Sequence, residues 1–115
     1  MPDYEKFYIS TGRAKAFVLY DDGERITFDD IEGFAGLPFY VHRYINIRGW
    51  TGWAVTCPRT GLRLGPGGTE RRSVVKNARL QLMKQGYEAY SRSVKRQNKK
   101  YGVPPAVPGK ESKLF

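Results

Sequence analysis

Residues 39–47, FYVHRYINI, alternate in the manner of an extended strand, with Val41, Ile45 and Ile47 on one side and Tyr40, His42 and Tyr44 on the other. Arg48-Gly49 and Thr51-Gly52 flank Trp50 as a turn. In WAVTC the residues Trp53, Val55 and Cys57 share a face, PRTG supplies the next tight turn, and LRL places Leu62 and Leu64 on either side of an outward Arg63. Three short strands joined by glycine-bearing turns predict an antiparallel meander. Upstream, RAKAFVLYDDGERITF predicts a hairpin of residues 16–20 and 25–28 turning at Asp22-Gly23. FDDIEGFAGLP between them reads as one short helical turn, capped by Asp29 and stopped by Gly36 and Pro38.

Beyond Thr69 the hydrophobic period lengthens from two to 3.6. Val74, Val75, Ala78 and Leu82 form a stripe wide enough to cover one face of a sheet, with Thr69 as the expected N-cap and Gly86 as a C-terminal stop. Leu80, Met83, Tyr87, Tyr90, Val94 and Tyr101 form a second stripe, which lines up only if the helix runs through Gly86 at a cost of about 1 kcal/mol relative to alanine. The pattern leaves both readings open. The fold class expected is therefore α+β: an antiparallel sheet, hairpin plus three-stranded meander, packed by one long or two consecutive C-terminal helices. Residues 1–101 form a single globular domain, and 102–115, with three prolines and two glycines, an extended flexible tail.

Composition narrows the class. With 115 residues, 40% hydrophobic and 14% aromatic, the chain builds one modest core. One cysteine, Cys57, permits no internal disulfide and suits a reducing cytoplasm, and no apolar run reaches membrane-span length. Charge changes the picture most. Residues 1–38 hold eight acids against four bases, whereas residues 39–115 hold sixteen bases against Glu70, Glu88 and Glu111, so a net charge of +9 sits on a basic second half. Such a split fits a polyanion or an acidic protein surface as partner, or a solvated face with none.

Catalytic chemistry is hard to assemble. His42 and Cys57 are single residues of their types, which excludes a Cys/His metal cluster within one chain, and the pairs Asp21-Asp22 and Asp29-Asp30 are explained by turns and caps. The stretch TGLRLGPGGTERR lacks the lysine and hydroxyl of a nucleotide-hydrolysing loop, although its glycines lead into a helix start with Arg71 and Arg72 in the first turn. No catalytic residue, metal or cofactor is expected. The candidate anion-binding set is Arg43, Arg48, Arg59 and Arg63 from the meander with Arg71, Arg72, Lys76 and Arg79 from the helix start; Tyr44 and Trp50 could stack on bases. Arg92, Lys95, Arg96, Lys99 and Lys100 extend this basic set. Met83, Tyr87, Tyr90, Val94 and Tyr101 form a seam for the protein's own hairpin, a second copy in a homodimer, or a protein partner.

The pattern W-x-V-x-x-x-x-T-G-L-R-L-G-x-G-G-T followed by an amphipathic helix resembles the three-stranded-sheet-plus-helix DNA-binding domains of phage integrase arms and plant ethylene-response factors, over residues 39–86. The resemblance implies a sheet entering the major groove, with Arg43, Arg48, Arg59 and Arg63 facing DNA. In size and lack of catalytic groups the chain is also similar to small phage and mobile-element proteins, anti-CRISPR inhibitors among them, which implies as alternative a protein that blocks a host nucleic-acid enzyme or its guide RNA. DNA or RNA, or a host protein that handles them, is thus the expected partner, with no membrane.

Overall fold

The computed structural model describes residues 4–45, 51–105 and 107. Strands β1 (Tyr4–Ser10), β2 (Phe17–Ile26), β3 (Phe39–Ile45), β4 (Thr51–Cys57) and β5 (Leu62–Arg63) form one antiparallel sheet in chain order, and helices α1 (Arg71–Gln85) and α2 (Tyr87–Tyr101) follow. This is the expected α+β architecture. The two-residue alternation sorts the faces as the pattern predicts: Val41 lies opposite Val55, and both enter the core with Phe39, Cys57 and Leu64. Val74, Ala78 and Leu82 of α1 and Tyr90 of α2 close that core, with Phe28, Ile31 and Phe34 at its border.

The hairpin lies elsewhere than Asp22-Gly23. Residues 17–26 are one continuous strand whose partner is β1, in a register running from Tyr4 opposite Glu24 to Ser10 opposite Phe17. Gly23 is needed there for space: a Cβ would stand 2.5 Å from two ring atoms of Phe7 and 3.0 Å from Tyr40. The real turn spans residues 11–16, closed by a hydrogen bond from the Thr11 N–H to the Ala16 carbonyl at 2.9 Å.

Two further expectations are corrected. Residues 29–38 form successive turns and no helix, with the N–H groups of Ile31, Phe34 and Leu37 each donating to the carbonyl three residues back. Asp29 closes this segment by accepting the Gly36 N–H at 2.8 Å. At α1 the N-cap is Glu70, with no side-chain cap bond, in place of Thr69. The cause lies one residue earlier, where Gly68 bridges back to Trp53 through paired backbone bonds of 2.7 and 3.0 Å and holds the glycine loop against β4.

Gly86 divides the helices. Its φ of 80° and ψ of 160° lie in a region essentially confined to glycine. The Gly86 N–H ends α1 on the Leu82 carbonyl, and the Tyr90 N–H starts α2 on the Gly86 carbonyl. The change of direction brings Tyr90 onto Phe34 and Phe39, with ring centroids 5.0 and 6.0 Å apart. At the far end of α2 the Tyr101 carbonyl accepts the Lys15 N–H at 2.6 Å, tying the helix to the β1–β2 turn. Most of the predicted tail lies outside the described residues.

The sheet also curls. The Ser10 N–H donates to the Gly61 carbonyl at 2.8 Å, joining the end of β1 to the β4–β5 turn. The face turned away from the helices thereby becomes concave. Phe7 stacks on Tyr40 at 4.9 Å within it and meets His42 at 5.0 Å, and Tyr20 meets His42 edge-on at 5.5 Å.

Candidate nucleic-acid interface

The arginines predicted to share one sheet surface are divided among several environments. Arg43 follows Val41 by two residues in β3, so it lies on the helix-covered side, where its guanidinium sits 4.8 Å from the Trp53 ring centroid. Arg63 lies opposite Thr56, on the concave side, 4.7 Å from the Tyr44 ring. Arg59 turns inward: its Nε donates to the Tyr90 hydroxyl at 2.7 Å and its guanidinium lies 4.7 Å from the Phe39 ring. Arg48 and Trp50 lie outside the described residues. The expectation that the sheet arginines face DNA together is corrected for Arg43, Arg59 and Arg63, because strand alternation and the inward turn of Arg59 separate their side chains.

The helix-start cations divide as well. Arg71 is ion-paired with Glu24, and Arg79 with Asp30 through two hydrogen bonds, so both join the helix to the acidic half of the chain. Arg72 and Lys76 are exposed. At the glycine loop the Gly68 N–H is bonded to the Trp53 carbonyl, and Arg63 Nη1 lies beside Gly67, while Arg59 and Arg71 are engaged by Tyr90 and Glu24.

Helix α2 carries the concentrated charge. Arg92, Lys95, Arg96, Lys99 and Lys100 are all exposed, and between residues 89 and 101 there is no acid. At about 100° per residue, Arg92, Lys95, Arg96 and Lys99 fall within an arc of about 100° opposite the buried Tyr90. The helix thus binds its own protein with one face and presents cations on the other. The tyrosine seam is split by the Gly86 turn: Tyr90 is buried, Val94 packs against the core, Tyr101 is half-buried, while Met83 and Tyr87 remain exposed.

Two grooves share Arg63 in their walls. The concave face opens as a groove of about 710 Å³, lined by Tyr20, His42, Tyr44, Thr56, Arg63 and the backbone around Gly12. The second, about 220 Å³, runs between α1 and α2, with Gln81, Gln85, Ser93 and Gln97 along it and Arg63 again at its wall. Sequence reading missed Tyr20 and these glutamines. Counting helical positions from Tyr90 would have placed Ser93 and Gln97 beside the core face; nothing local marks Tyr20, whose position follows from the curl.

Electrostatics makes the concave floor neutral. His42 is 2% exposed, with Nε2 2.8 Å from the Thr56 hydroxyl and Nδ1 3.0 Å from the Arg43 carbonyl. Burial pushes its pKa below the usual value; Asp22 raises it and Arg63 lowers it further. Burial, reinforced by Glu5, pushes the Tyr40 hydroxyl up to about 12, and burial beside Cys57 raises that of Tyr90. Among the described residues no three His, Cys, Asp or Glu side chains could hold a metal, and no helix is long and apolar enough to cross a membrane. Comparison with protein-family models, with curated proteins and with solved structures gives no match.

Proposed function

We propose that this chain is a non-enzymatic nucleic-acid-binding protein, of DNA or RNA, that grips phosphates chiefly with α2. The observation that carries this reading is the run of five exposed cations from Arg92 to Lys100, without an acid, on a helix whose opposite face is anchored by Tyr90. Exposed cations held on a rigid helix neutralise successive phosphates and release their counterions, which favours binding at low salt. Arg72, Lys76 and Arg63 widen the positive surface, whereas Arg59, Arg71 and Arg79 are engaged by Tyr90, Glu24 and Asp30.

The test is a fluorescence-anisotropy titration of 12-nucleotide single-stranded and duplex probes between about 50 and 200 mM salt. Binding that weakens steeply over that range supports the reading. No binding of either probe at the lowest salt overturns it.

A second reading, a protein-binding inhibitor of a host nucleic-acid enzyme, rests on one patch. Leu80 (51% exposed), Met83 (55%) and Tyr87 (43%) are left uncovered around the α1–α2 turn. A host protein captured equally well before and after nuclease treatment, and lost when Met83 and Tyr87 are both changed to serine, would favour it.

A further inference from the structure

We infer that the protein selects single strands, with the concave groove receiving one unpaired base while the adjoining backbone passes over Arg63 into the groove between α1 and α2. This inference rests on the nucleic-acid reading above and specifies its ligand.

Three features carry it. The concave groove has the walls that a flat, uncharged ring needs: Tyr20 and Tyr44 present aromatic surface, and the floor is the neutral His42–Thr56 pair. Glycines leave room for Tyr44 against the β3–β4 pair and the glycine loop, since a Cβ at Gly52 would come within 3.0 Å of its ring and one at Gly67 within 2.8 Å of its hydroxyl. Base–aromatic stacking tolerates any base, because each has a π-face.

Arg63 joins the two grooves. It lines both, and its guanidinium lies over Tyr44, at the point where the phosphate of an inserted nucleotide would leave the cavity. An arginine can stack on a ring and still direct N–H donors to a phosphate.

The continuation is polar and then cationic. Beyond Arg63 the α1–α2 groove offers Gln81, Gln85, Ser93 and Gln97, whose side chains donate and accept hydrogen bonds without imposing charge. Arg96 and Lys100 stand three residues beyond Ser93 and Gln97 on α2, so they flank that side of the groove. Neither groove is lined by a carboxylate among the described residues. A duplex, whose bases are paired and stacked, could use the outer face of α2 but could not insert a base.

The experiment measures the Kd of a 12-nucleotide single strand carrying a central 2-aminopurine and of the matching duplex, for the full chain and for Tyr44→Leu and Arg63→Gln. The expected result is tighter binding of the single strand, quenching of 2-aminopurine on binding, and a weakening of about tenfold in each variant for the single strand only. Arg63 is exposed, so Arg63→Gln retains the test if Tyr44→Leu fails to fold. Equal affinity for both probes, unchanged by either variant and without quenching, overturns the groove assignment and leaves the nucleic-acid reading in place. Failure of the unaltered chain to bind either probe at low salt overturns both.

Discussion

Tyr90 concentrates the contacts that fix α2. Its hydroxyl accepts the Arg59 Nε–H at 2.7 Å and lies 3.0 Å from the Cys57 sulfur, so one oxygen joins a strand, a turn and a helix. Removing it takes the partner from Nε of a partly buried guanidinium whose Nη2 already lacks a hydrogen-bond partner among the described residues. Tyr90→Phe should therefore destabilise the fold by about 1–3 kcal/mol in chemical denaturation, more than the loss of one exposed hydrogen bond. A change below a few tenths would show that the arginine is held by its ring contacts alone. His42 provides the pH dependence. Its folded pKa lies below the usual 6.5, so between the two values the unfolded chain binds more protons and stability falls as pH drops below about 6.5. His42→Gln, which can keep one hydrogen bond, should lower stability at pH 7 yet flatten its decline between pH 7 and 5. An equally steep decline in the variant would assign the effect to the carboxylates.

At the scale of elements, what the sequence shows depends on how local the cause is. The strand alternation of residues 39–44 and the helical stripe Val74, Ala78 and Leu82 are legible, because each records which side chains share a face, even though both faces of β3 are buried at residues 39–42. Asp22-Gly23 misleads for the opposite reason. The dipeptide has turn chemistry, but its glycine answers to the ring of Phe7 on another strand, which no local pattern reports. Arg59 is equally opaque, since its inward path exists only after α2 has turned at Gly86. Of the candidate interface, the α2 cations are legible as a helical period, whereas the concave groove appears only once Ser10 meets Gly61. The Gly86 turn can be tested alone. A Cβ there has open space, so Gly86→Ala is penalised through backbone conformation, by about 1–3 kcal/mol. The expected readout is a lower melting temperature, with reduced protection from exchange at the Tyr90 amide. Unchanged stability would mean that a continuous helix packs as well as the turned pair.

For the molecule as a whole, charge is sorted by layer. Two acids of the first half, Glu24 and Asp30, pair with Arg71 and Arg79, and the densest run of unpaired cations of the second half lies on α2. Pairing of this kind leaves a positive face whose strength a count of arginines along the chain would misplace. Whether α2 is the contact surface is decided by the salt dependence of single-strand binding in the unaltered chain and in a variant with Arg92, Lys95, Arg96 and Lys99 all changed to glutamine. Glutamine keeps helix propensity, so the fold should persist by circular dichroism. Binding through α2 predicts that the slope of log K against log salt becomes shallower by about three units, since each phosphate contact contributes about 0.7 for a single strand. An unchanged slope and affinity would contradict it and place the contact surface elsewhere.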